Sequence, residues 1–164
     1  MKKTFLAFVL NGALLGLIKL FYELVPPMSG LLYCTFLGFT ITTAVGAKAA
    51  QTGAYLVSTV LGAAWAAGYV ALEQLLLLTA LPETASKALA FGLMSFIIEA
   101  ANGLAFTKVK STRYVPLQFA VIIAIFSQQC QHVPQVLAAL VIGAAAALLS
   151  KHIYTMLLPS GVEK

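Results

Sequence analysis

The chain has 164 residues and a formal charge of +5, with 61% hydrophobic and only 9% charged residues. A soluble domain carries about 25% charged residues, so this composition excludes a soluble globule and leaves one small membrane domain, residues 1–164. The positive excess is no nucleic-acid footprint, because there is no aromatic-plus-basic patch and no run of more than two adjacent basic residues.

Six apolar stretches follow in order, parted by prolines, glycines and charges. Each runs continuously apolar, whereas barrel strands alternate polar and apolar over ~10 residues. The expected fold is therefore all-α, a polytopic membrane protein of six transmembrane helices. Stretch 1 covers about Thr4 to Glu23 and ends at Pro26-Pro27. Lys2 and Lys3 precede it like the basic region of a signal peptide. Val25, Pro26, Pro27 and Met28 follow instead of a small-residue cleavage site, so an uncleaved first span is expected. Stretch 2 runs from about Met28 to Ala47, stretch 3 from Gln51 to Ala80, and stretch 4 from Ser86 to Val109. Stretch 5 runs from about Tyr114 to Gln131 and stretch 6 from Pro134 to Leu158. A span needs ~20 residues. Stretches 2 and 5 are the shortest or most polar.

The basic residues orient these spans. Six spans with a cytoplasmic N-terminus place Lys2, Lys3, Lys48, Lys108, Lys110, Arg113, Lys151 and Lys164 on one side. By the positive-inside rule that side is the cytoplasm, and both termini lie there. Lys87 stays outside near Glu83, and Lys19 can snorkel from the first span.

A repeat is also expected. VLGAAWAA at 60–67 resembles VIGAAAAL at 141–148, and LAF at 6–8 resembles LAF at 89–91. The halves 1–80 and 84–160 each read as an apolar helix, a Pro-led shorter stretch and a Gly/Ala-rich helix. Three spans per half force the second half upside down. Inverted repeats of this kind build transporters with the site at the repeat interface. Small residues four apart, Gly12 and Gly16 in stretch 1, Gly62 and Ala66 in stretch 3, Gly143 and Ala147 in stretch 6, suit close helix contact. Such contact packs the bundle or joins copies of the chain in a homo-oligomer.

Few polar residues interrupt these stretches. Glu99 stands in a run from Ala88 to Phe106 otherwise free of charge. A carboxylate at mid-bilayer costs at least ~2.5–3.5 kcal/mol, and intramembrane acids mark solute paths and proton relays. Asn102, three residues on, shares its helix face. The competing reading is a structural hydrogen bond or a position near the interface. Stretch 5 ends in SerGlnGlnCysGlnHis, residues 127–132. Gln128, Gln129 and His132 either line a pore mouth, with a histidine suited to sensing pH, or form a polar outer turn. In stretch 2, Thr35, Thr40, Thr42 and Thr43 bond their own helix by default, with Thr40 and Thr43 kept as path candidates. Trp65, alone in mid-helix, reads as packing, and Cys34 and Cys130 read as packed thiols without metal-ligand spacing.

No phosphate-binding loop, dinucleotide fingerprint or HExxH occurs, and there is no Asp. An enzyme, a cofactor and a metal site are not expected.

SGLLYCTFLGFTITTAVGAKAA at 29–50, followed by a Gly/Ala/Trp helix, resembles the YcdZ-like family of small bacterial inner-membrane proteins, a domain family of unknown function. The similar elements are Ser29-Gly30, Phe36-Leu37-Gly38 with Thr40 after it, and Gly46 with Lys48. The resemblance implies a bacterial inner-membrane location and supplies no substrate. The expected function is a channel or transporter for a small polar solute, neutral or a weak acid. In it Glu99 and Asn102 face Gln128, Gln129 and the threonines of stretch 2. A non-transporting structural or regulatory membrane subunit is the alternative.

Overall fold

A computed structural model describes residues 2–46, 48–106, 109, 112 and 114–158, and among them the structure is helical with no strands. The α-helices are α1 (Lys2–Leu24), α2 (Leu32–Ala44), α3 (Thr52–Leu77), α4 (Glu83–Ala100), α5 (Val115–Ser127) and α6 (Val133–Leu157). A π-helical turn, Ala101–Ala105, continues α4, and its wider winding is closed by Phe106 N–H donating to the Ala101 carbonyl at 2.9 Å.

Punctuation in the sequence sets the boundaries. Pro26 and Pro27 stop α1 and open a 3₁₀ turn, Pro26–Met28. Ser29 and Gly30 then make a type II turn. Ser29 has φ −57° and ψ 133°, Gly30 has φ +84°, and Leu31 N–H reaches the Met28 carbonyl at 3.1 Å. Only glycine takes that φ without cost. Gly46, at φ +64°, closes α2 as a left-handed C-terminal residue. These turns use up residues that the sequence assigns to stretch 2, so α2 is a 13-residue helix.

α5 is equally short at 13 residues. Thirteen residues rise about 20 Å, less than the ~30 Å hydrocarbon core. The other four helices, counting the π turn with α4, are long and apolar enough to cross a membrane. Large apolar side chains stand exposed along them, among them Phe5, Leu17 and Leu24 on α1 and Phe91, Phe96 and Leu104 on α4 and its π turn. In lipid such surface needs no cover, whereas in water it would drive association.

The helices gather into two compact units. Unit 1 holds α1, α2 and α6, with α2 and α1 both packed on α6. Unit 2 holds α3, α4 and α5, with α5 and α4 both packed on α3. Glycines let the central pairs meet at their backbones. A Cβ added at Gly143 would overlap the Thr35 carbonyl oxygen, and one added at Gly38 would overlap that of Leu140. In unit 2 a Cβ at Gly62 would lie 2.7 Å from the Gln118 carbonyl oxygen and 2.8 Å from Val121 Cβ. Gly12 and Gly16 meet nothing within 4 Å, so the small-residue pair on α1 does no packing among the described residues.

The helix bounds themselves recur. Leu32–Ala44 and Val115–Ser127 are 83 positions apart at both ends. Lys2 and Glu83 are 81 apart, as are Thr52 and Val133. Each unit therefore holds two long helices and one short one, and the spacings set α1 against α4, α2 against α5 and α6 against α3.

Candidate functional site

In unit 1 a cleft is lined by residues of α1, α2 and α6. It has a volume of ≈ 410 Å³ and is lined by Asn11, Thr42, Thr43, Ser150, Lys151 and Tyr154, with Phe39 among its apolar walls. Tyr154 is braced by Phe8, their rings edge to face at 6.3 Å. Thr43 Oγ1 donates to its own helix at the Phe39 carbonyl, 2.9 Å away. Thr42 does not follow that pattern. It is 2% exposed, and its Oγ1 has no hydrogen-bond partner among the described residues. The same is true of the buried Oδ1 of Asn11. A polar atom buried without a partner costs ~1–3 kcal/mol, and native structures tolerate few of them. Two on one cleft mark a place where solvent or solute completes the bonding. Lys151 is the one charged residue of the lining among the described residues.

Unit 2 arranges its polar groups in the opposite way. Gln118, on the first turn of α5, is fully buried. Its Oε1 accepts from Trp65 Nε1 at 3.0 Å and from Asn102 Nδ2 at 3.3 Å. Its Nε2 donates to Asn102 Oδ1 at 3.2 Å and to the Thr112 carbonyl at 2.9 Å. Asn102 Nδ2 also donates to the Ile98 carbonyl at 2.9 Å. Every polar atom of the Gln118 side chain is engaged, so the network joins α3, α5 and the π turn after α4. Thr35 does the same in unit 1. It is buried, donates to the Ala139 carbonyl at 3.1 Å on α6 and shares a hydrogen bond with the Tyr22 hydroxyl on α1. Unit 2 has a groove of ≈ 510 Å³ as well, but Tyr69, Phe91, Met94, Ile98, Ile123 and Phe126 make its walls almost wholly apolar.

The residues singled out from the sequence fall in both units. Glu99 is exposed on α4 and has no hydrogen bond or ion pair among the described residues. It stands six residues before the end of the π turn, about 9 Å along the helix axis. Asn102, on that turn, is half-buried and tied to Gln118. Gln128 and Gln129 sit beyond the other end of α5, ~15 Å along it from Gln118, so they do not converge with Asn102. Gln129, Cys130 and His132 are exposed and have φ of 53°, 59° and 54°. Such left-handed backbone costs non-glycine residues roughly 1–2 kcal/mol each. The stretch 127–132 is therefore a strained polar turn, and Cys130 is an exposed thiol rather than a packed one. Thr40 is exposed, and Thr43 lies in the cleft. Lys108, Lys110, Arg113 and Lys164, which carry half of the orientation argument, lie outside the described residues.

Asn11 and Gln118 were not among the sequence candidates, and Trp65 was read as packing alone. Gln118 had a signal, since it lies 83 positions after Thr35, the spacing of the LAF pair. Asn11 had one too, as the sole polar side chain between Phe5 and Ile18 in the first span. No protein-family model, curated protein or solved structure matches the chain. No group of three or more His, Cys, Asp or Glu capable of holding a metal occurs among the described residues.

Proposed function

We propose that the chain is a small-solute channel or transporter of the bacterial inner membrane, acting on a small polar solute, neutral or a weak acid. The observation that carries this reading is the cleft of unit 1, where Thr42 Oγ1 and Asn11 Oδ1 are buried without partners among the described residues. Helix stitching would have satisfied both, as it satisfies Gln118. A volume of ≈ 410 Å³ falls in the range of small-molecule sites, ~300–1,000 Å³. Lys151 and Lys48 at this end of unit 1 support a cytoplasmic mouth for the cleft under the positive-inside rule.

Six spans and an inverted three-plus-three repeat belong to the same reading. The equal spacing of helix bounds supports the repeat, and so do the glycine contacts of Gly62 and Gly143. On this plan α2 and α5 are short spans whose flanking turns complete the crossing. Membership of the YcdZ-like family fits the length and the Ser29-Gly30 and Gly46 turns, and self-association through exposed faces such as that of Gly12 and Gly16 fits a unit of this size.

The satisfied network of Gln118, Asn102 and Trp65 favours the second reading, a structural or regulatory membrane subunit that moves nothing. Flux decides between them. Purified protein in proteoliposomes should speed solute-driven swelling over empty vesicles, and Thr42→Val should lower that rate without lowering thermal stability in detergent. Swelling indistinguishable from empty vesicles across neutral, anionic and cationic solutes would leave the subunit reading in place.

A further inference from the structure

Unit 2 carries a site of a different kind. We infer that its groove holds an acyl chain of a membrane phospholipid, laid along α3, α4 and α5 with its methyl end against Trp65. This inference rests on the reading of the chain as a membrane protein and not on transport.

The groove is more than a local gap in packing. Its lining residues Tyr69, Ile122 and Phe126 stand at the 81- and 83-residue spacings from Ser150, Phe39 and Thr43, which line the cleft of unit 1. An opening therefore recurs at the spacings that pair the helices, polar in unit 1 and apolar in unit 2.

Its dimensions select the occupant. On α5 the lining runs from Phe119 to Ser127, ~12 Å of helix rise. One leaflet offers about 15 Å of hydrocarbon, half of a ~30 Å core. Spread over that length, a volume of ≈ 510 Å³ gives a groove roughly 6–7 Å wide. A helix from a second copy, ~10–12 Å across with its side chains, does not enter it, whereas an extended hydrocarbon chain does.

Polarity sets the direction in which the chain lies. Met94, Ile98, Ile122 and Ile123 offer no hydrogen bond along the walls, so a polar solute would lose its own bonds to water without replacement. At the deep end Trp65 commits its N–H to Gln118 Oε1 at 3.0 Å. The other end is polar. There the Tyr69 hydroxyl bonds Glu73, Ser127 closes α5, and Lys87, one turn before Phe91, pairs with Glu83. An apolar length with one polar mouth matches a lipid, whose chain is apolar and whose headgroup is not.

Trp65, the chain's one tryptophan, reports the site. The full chain is reconstituted in vesicles of phosphatidylcholine brominated near the methyl ends of its acyl chains, returned to detergent and washed free of loosely held lipid. Its emission should be half or less of that of protein taken through unbrominated lipid, and excess unbrominated lipid should restore it by exchange. Bromines near the headgroup should quench less, because Trp65 lies at the deep end. Ser95→Phe and Ile123→Phe each put a ring into the groove and should abolish the quenching, with circular dichroism confirming that they fold. Ser95→Ala should keep it. Equal emission after brominated and unbrominated lipid would overturn the inference, whether the groove stands empty or a second copy covers it. Quenching that survives both phenylalanine variants, or that is stronger with bromines near the headgroup, would overturn it as well. A chain that fails to enter vesicles would overturn the inference together with the membrane reading beneath it.

Discussion

Replacing Gly143 by alanine tests the contact on which unit 1 is built. The added Cβ would overlap the Thr35 carbonyl oxygen and lie 2.8 Å from the Phe39 amide nitrogen. Both are backbone atoms of α2, and neither can rotate aside as a side chain would. The helices must separate, and overpacking of this kind costs ~1–3 kcal/mol. Alanine also brings a gain, because it is favoured over glycine inside a helix by roughly 0.5–1 kcal/mol. Gly12→Ala supplies the control. It sits inside α1, receives the same gain and meets nothing within 4 Å. The difference between the two variants therefore isolates the clash. At about 2–4 °C per kcal/mol for a chain of this size, Gly143→Ala should melt roughly 2–12 °C below Gly12→Ala. Thermal unfolding in detergent followed by circular dichroism measures it. Gly62→Ala should fall on the Gly143 side, since its Cβ would crowd the Gln118 backbone in the same manner. Equal melting of Gly143→Ala and Gly12→Ala would refute the backbone contact of α2 with α6.

Two further outcomes are expected. Gln118→Leu leaves the half-buried Trp65 Nε1 and Asn102 Oδ1 without their Gln118 partner, at ~1–3 kcal/mol for each unpaired group as an upper bound. It should lower thermal stability and shift tryptophan emission to the blue; Trp65 is the chain's one tryptophan, so unchanged emission would place it outside that network. Glu99→Gln and Glu99→Leu should each alter stability by less than about 0.5 kcal/mol, as exposed positions do, and leave flux intact. Loss of flux in both would return Glu99 to the solute path.

The helices were legible because charges and prolines punctuate apolar runs. Their lengths were less so. Stretch 2 was expected over 28–47, yet α2 spans Leu32–Ala44. Met28 is as apolar as any span residue, and only the Ser29-Gly30 pair hints that the chain turns there. Stretch 5 was expected to run to Gln131, but residues after Ser127 bend into left-handed backbone, which composition does not announce. Helix faces were the hardest to read. In water a helix shows its buried face by leaving it apolar, whereas a membrane helix is apolar all round. Glu99 and Asn102 share a face by spacing, and still one is exposed while the other bonds Gln118. The cleft was hidden for another reason. Asn11, Thr42 and Lys151 come from three helices far apart in sequence, and each is unremarkable in its own run.

Comparison of positions at the recurring spacings bears on the proposed function. Thr35 and Gln118 lie 83 positions apart, each the fourth residue of its helix, α2 or α5. Each is buried, each bonds the long helix that ends just before its own, and each offers its carbonyl to a glycine, Gly143 or Gly62. Those positions hold the scaffold, and an apolar bundle needs them wherever short and long helices touch. The lining does not follow this rule. The spacing that matches α2 to α5 sets Thr42 against Ile125 and Thr43 against Phe126, and the spacing that matches α6 to α3 sets Ser150 against Tyr69 and Lys151 against Val70. Packing explains the pairs that stay polar in both units, because closed networks stabilise both. It does not explain a polar lining in unit 1, where two oxygens stay unpartnered among the described residues. A cost borne at only one of two stretches that the 81- and 83-residue spacings pair is the reason the solute site is proposed at the Thr42 cleft and not at the Gln118 network.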